Sequence, residues 1–116
     1  MAKKGRRREK IRAPESEYRD DHGSVLVLRG ALTPATRAQY AEVAGGNILS
    51  QEDAWQRAVE FLFERLAVRW EIAGLPTEGQ KALLMRFRVA TTDERRFVRD
   101  ALREHVAEHF PDVEAP

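Results

Sequence analysis

Seven of the first twelve residues are basic and one is acidic: Lys3, Lys4, Arg6, Arg7, Arg8, Lys10 and Arg12 against Glu9. The remaining 104 residues hold thirteen bases and eighteen acids, so an arm of net charge +6 is joined to a body of −5. Like charges packed this densely repel and stay solvated, which prevents the arm from contributing to a core. The fold therefore has to come from the rest of the 116-residue chain, enough for one modest domain. With no cysteine, disulfides and thiolate metal sites are excluded. Apolar runs such as Val25–Leu28 are far short of the ~20 residues of a membrane helix. The basic start leads into Pro14, Glu15 and Asp20 rather than an apolar stretch, so it reads as an arm and not as a secretory leader. The expected location is the cytoplasm.

Residues 1–22 are expected to be a disordered basic arm, residues 23–110 a folded helical domain, and residues 111–116 a frayed tail. Val25 to Arg29, set between Gly23 and Gly30, is the one good strand candidate. A lone strand leaves its backbone groups unsatisfied. It needs a partner, either residues 15–20 folding back across Asp21-His22-Gly23 or a strand from another copy. Self-association is therefore one expected property.

Thr33-Pro34 starts a helix running to about Ala44, which Gly45-Gly46-Asn47 ends. Ser50, with Glu52 and Asp53 in the first turn, starts the next. Trp55, Val59, Leu62, Leu66 and Trp70 follow at spacings of 4, 3, 4 and 4, one apolar helical face, with Phe61 and Phe63 off it. Gly74-Leu75-Pro76 breaks the chain, and Thr77 is expected to cap a third helix over 78–90. Thr91-Thr92-Asp93-Glu94 is a capping-box pattern opening a fourth helix, with Phe97, Val98, Ala101, Leu102 and Val106 on one side. The expected fold is mainly α (α+β): a small bundle of about four helices preceded by a short β-strand or hairpin and the disordered arm.

Chemistry-bearing patterns are sparse. His105-Val106-Ala107-Glu108-His109 has the H-x-x-E-H order of inverted zinc peptidases. A zinc site needs a further ligand, only seven residues follow, and two polar residues on the wet face of a terminal helix is the expected reading. Glu60 and Glu64 lie one turn apart and read as solvent-facing neighbours of Arg57. There is no Gly-rich phosphate loop and no nucleophile elbow. No catalytic residue, metal or cofactor is expected, and the protein is read as a non-enzyme. Arg86, Arg88, Arg95, Arg96, Arg99 and Arg103 form a second basic group, offset by Asp93, Glu94, Asp100 and Glu104, so the fourth helix reads as a salt-bridge-laced surface.

The segment from Glu60 to Arg69, then Trp70, the Gly74-Leu75-Pro76 turn and a further short helix resembles the small tail assembly chaperones of long-tailed bacteriophages. A β element before the helices, as at Val25 to Arg29, is compatible with that layout. The resemblance implies a non-enzymatic assembly role: coating an aggregation-prone, helical tape-measure protein while tail subunits polymerise around it. It carries over no catalytic residues. Phe61 and Phe63, aromatics beyond the main stripe, together with Trp70 at its end and Leu75 in the turn that follows, are the expected partner-binding residues. The alternative is a small nucleic-acid-binding protein using Lys3, Lys4, Arg6, Arg7, Arg8, Lys10 and Arg12 to neutralise phosphates.

Overall fold

The computed structural model describes residues 14–45 and 51–116. Four strands, β1 (Glu15–Arg19), β2 (Val25–Arg29), β3 (Ala67–Ile72) and β4 (Leu75–Glu78), form one antiparallel sheet in the order β1-β2-β3-β4. Helices α1 (Pro34–Gly45), α2 (Gln51–Leu66), α3 (Gln80–Arg88) and α4 (Thr92–His109) accompany it. This is an α+β fold and corrects the expected four-helix bundle with one strand or hairpin.

Two hairpins build the sheet. The first is β1 folding back on β2, with Tyr18 opposite Leu26 and Ser16 opposite Leu28. Asp20 shapes its turn, its carboxylate accepting from the backbone N–H groups of His22 and Ser24 at 2.9 and 2.8 Å. The second hairpin overturns the expected long helix. α2 stops at Leu66, and Trp70 lies in a strand. The spacing of four from Leu66 to Trp70 suits a helix face, yet four is also twice the strand period of two. Ala73 (φ 53°) and Gly74 (φ 79°) make the two-residue turn that closes it, both in the left-handed region that a type I′ hairpin demands. Pro76 and Thr77 are consequently strand residues, and the third helix starts at Gln80 after Gly79 rather than at a Thr77 cap.

The register between β2 and β3 steps between Val27 and Leu28, leaving Val68 as the extra residue of a bulge. The step lets Ala67 and Trp70 both join the core despite their odd separation. Leu26, Leu28 and Trp70 meet Ala58, Leu62, Phe63 and Leu66 of α2, Leu83 and Phe87 of α3, and Val98, Leu102 and Val106 of α4 in one cluster. Val25 and Val27 are buried but lie outside that cluster, on the opposite face. There strand alternation sets Glu15, Glu17 and Arg19 beside Arg69, Glu71 and Glu78. Glu17–Arg19 (3.1 Å) and Arg69–Glu78 (3.8 Å) are ion pairs, and Arg69 also pairs with Glu71. The sheet is thus covered by helices on one side and by charged side chains on the other.

The boundaries of the folded body move outwards. Residues 15–19, expected within the arm, are β1, while residues 1–13, with all seven basic arm side chains, lie outside the described residues. The tail after Phe110 is tied to α1: Arg37 bridges Asp112 at 3.0 Å, and the Tyr40 hydroxyl donates to the Glu114 carbonyl. Burial pushes the Tyr40 hydroxyl up to about 12. The Thr91 capping box is present, with Thr91 Oγ1 accepting from Glu94 N at 3.1 Å and Glu94 Oε1 accepting from Thr91 N at 2.9 Å. The bonds from Thr91 and from Arg86 hold the Glu94 carboxyl below its ordinary range, although burial opposes them.

Candidate functional site

The amphipathic faces of α2 and α4 do not close completely on each other. Between them runs a groove of about 750 Å³, with Trp55 and Val59 on one wall, Phe87 in the floor, and Arg95, Arg99 and Arg103 on the other wall. The α4 arginines recur at four-residue intervals, so one helix face carries them all. Trp55, expected on the apolar helical face with Val59 and Leu62, is 40% exposed rather than packed in the core. Its ring lies 5.2 Å under the Arg99 guanidinium, and Phe87 lies 5.4 Å under that of Arg95.

The polar contacts hold this arrangement in place. Arg95 donates to the Arg88 carbonyl at 2.7 Å, and Arg88 grips Glu60 through two bonds of 3.0 and 3.2 Å. That grip keeps the Arg88 pKa raised. α4 is less neutralised than its composition suggests. Arg96 pairs with Asp93 at 3.6 Å, but Arg95, Arg99 and Arg103 have no carboxylate partner among the described residues. Arg99 Nε is buried without a hydrogen-bond acceptor among them. The groove also holds Glu52, Glu60 and Asp100, so it is mixed in charge with a basic excess.

The four residues expected to bind a partner do not form one surface. Phe63 is fully buried, stacked 4.9 Å from Phe87 and edge-on to Trp70 at 5.6 Å. Trp70 is 1% exposed. Both are core residues and are not available to a partner. Phe61 is half-buried between Tyr40 (6.2 Å) and the Arg65 guanidinium (5.0 Å). Leu75 is 74% exposed, at the start of β4. The groove residues were visible as an arginine series and a tryptophan. What the sequence does not carry is that Trp55 and that series face each other.

The histidines also differ from expectation. His105 is 0% exposed, packed under the first hairpin rather than on a wet face. The Arg29 carbonyl lies 2.8 Å from His105 Nε2 and cannot donate, so Nε2 carries the proton. Nδ1 then accepts from the Tyr18 hydroxyl at 2.8 Å. His109 lies tilted beside it, with ring centroids 4.4 Å apart, and its Nε2 is 3.2 Å from Ser16 Oγ. Both imidazoles thus join α4 to the sheet. Among the described residues no group of three or more His, Asp or Glu side chains is placed to hold a metal. None of the helices among them is long and apolar enough to cross a membrane. The chain matches no family model, no curated protein and no solved structure.

Proposed function

We propose that this chain is a non-enzymatic assembly protein of the tail-assembly-chaperone type, which holds a helical segment of a tape-measure-like partner in the α2–α4 groove. The observation that carries the protein-binding part is the groove itself: an exposed indole and an aromatic floor flanked by three arginines without carboxylate partners among the described residues. A groove between two helices accepts an amphipathic helix laid along it, its apolar residues on Trp55, Val59 and Phe87. The mixed charge of the walls suits a polypeptide with an acidic excess. The phage setting rests on the resemblance of the segment from Glu60 to Pro76.

The same arginines and indole are what a single nucleic-acid strand would use, by phosphate contact and base stacking. Glu52, Glu60 and Asp100 in the groove repel a phosphate backbone and favour the protein partner.

Co-expression with phage tape-measure proteins separates the two readings. The expected result is capture of the long helical protein, surviving removal of residues 1–12 and high salt, and reduced by Trp55→Ala. A hot-spot aromatic of this kind costs about 2 kcal/mol or more of binding when truncated. Recovery of nucleic acid alone, lost on arm removal or in salt, overturns the proposal.

A further inference from the structure

The two edges of the sheet are not equivalent. Gly30 N–H donates to the Pro14 carbonyl at 2.7 Å, and Asp20 N–H to the Ser24 carbonyl at 3.2 Å. In an antiparallel pair, hydrogen-bonded and non-bonded positions alternate. Ser16 and Tyr18 therefore direct their backbone groups at β2, and Glu15, Glu17 and Arg19 direct theirs outwards. Nothing among the described residues pairs with that outer edge. On the other side of the sheet the same alternation turns the backbone of Pro76 and Glu78 outwards. Proline has no N–H to offer, so the β4 edge is blunted where it faces solvent. The β1 edge has no such device.

We infer that β1 pairs antiparallel with β1 of a second copy, about a two-fold axis at Tyr18, joining two sheets into one. The choice of a second copy comes from charge. In this register Glu17 of each chain stands opposite Arg19 of the other, and both lie on the open face of the sheet. The strand is self-complementary, as a two-fold interface requires. Each opposed Glu17–Arg19 pair exchanges two backbone bonds, about four in all. The two Tyr18 residues meet at the axis on the helical side, where cross-strand aromatic pairs are favourable. Glu104 and Glu108 lie near enough to Tyr18 to raise its pKa, after burial and against its bond to Ser16. These acids oppose the approach of the second copy and keep the contact weak and concentration-dependent. The inference is independent of the groove and of what fills it.

The test is the mass of the full chain in solution, by sedimentation or light scattering, from micromolar to near-millimolar concentration. The wild type is expected to pass from monomer to dimer. Glu17→Pro removes an outward N–H and the Glu17 carboxylate but no backbone bond to β2, and is expected to abolish the dimer while leaving the circular dichroism spectrum intact. Glu17→Arg and Arg19→Glu each place like charges opposite one another and are expected to weaken association about tenfold or more. Mixed together, those two variants regain opposite charges at both positions and are expected to form a heterodimer. An ion pair within one chain cannot produce that rescue. A monomer throughout the range, a dimer that survives Glu17→Pro, or a mixture that stays monomeric overturns the inference.

Discussion

The β3–β4 hairpin meets the helices through Trp70, whose ring packs edge-on to Phe63 and lies 5.4 Å under the Arg86 guanidinium. The β1–β2 hairpin adds to the apolar contacts of Leu26 and Leu28 a polar seam: Tyr18, His105 and the Arg29 carbonyl, with Ser16 and His109 alongside. Gly30 shows how closely that seam fits. A Cβ there would come within 3.0 Å of the Pro14 ring and 3.2 Å of His109 Nδ1. Similar local geometry is thus anchored by dispersion and area in one hairpin, and in the other by apolar contacts supplemented by bonds that depend on protonation. The first kind of anchor is strong and indifferent to pH, and the second is weaker and titrates.

The largest effect is expected at Trp70. Trp70→Ala empties the centre of the cluster and should cost about 3–5 kcal/mol of unfolding free energy in denaturant titrations. Trp70→Phe should cost clearly less, because the indole Nε1 has no hydrogen-bond acceptor among the described residues and its loss breaks no bond. Equal costs for the two would mean that the indole N–H has a partner and that this anchor is polar too.

His105 comes next. His105→Leu leaves the Tyr18 hydroxyl and the Arg29 carbonyl unpaired and should cost about 1–3 kcal/mol. Burial is the main cause that lowers the pKa of His105, and neighbouring His109 lowers it further, against the Arg29 bond and Glu108, which raise it. The sign follows from linkage. The unfolded chain takes up a proton at this position near the ordinary value of about 6.5, and the folded chain only at lower pH. The contribution of neutral His105 is therefore complete above about pH 6.5 and is lost as pH falls through the window below it. Melting followed from pH 8 to 5 should show that decline in the wild type and less of it in His105→Gln, which does not titrate. Parallel profiles would remove the protonation-dependent half of the comparison.

The two hairpins also differ in how far the sequence announces them. The first is legible: a valine-rich run, glycine on both sides, and Asp21-His22-Gly23 in the place of a turn. The second is masked by ambiguity. Leu66 and Trp70 satisfy the helical period, and Gly74-Leu75-Pro76 reads as a break as easily as a turn leading into an edge strand. Val68 and Ile72 are β-branched, and Arg69 and Glu71 share the opposite face from Trp70, but six residues are too few to outweigh a helix already in register. The fourth helix and its capping box are visible because their signals are local. The groove and the His105 seam are not, since each depends on which residue a distant element sets opposite. The arginine series suggested salt bridges within α4 because its acids are close in sequence, yet Arg99 turns to Trp55 instead.

The smallest effect belongs to the turns and separates them once more. In the first, Gly23 holds φ 84° without strain and Asp20 caps the loop, so the residues suit the geometry. In the second, Ala73 takes φ 53°, where its Cβ crowds the carbonyl that follows. Asparagine tolerates that region better and is preferred before glycine in a two-residue hairpin. Ala73→Asn should therefore raise stability by about 0.5–1 kcal/mol, while Gly23→Ala should lower it by about as much or more. Both positions are exposed, so neither change disturbs the core. The check is a pair of denaturation curves with unchanged slope and midpoints moved in opposite directions. Should Ala73→Asn leave the midpoint where it is, the left-handed backbone at residue 73 is not a source of strain, and the two turns are equally well fitted to their hairpins.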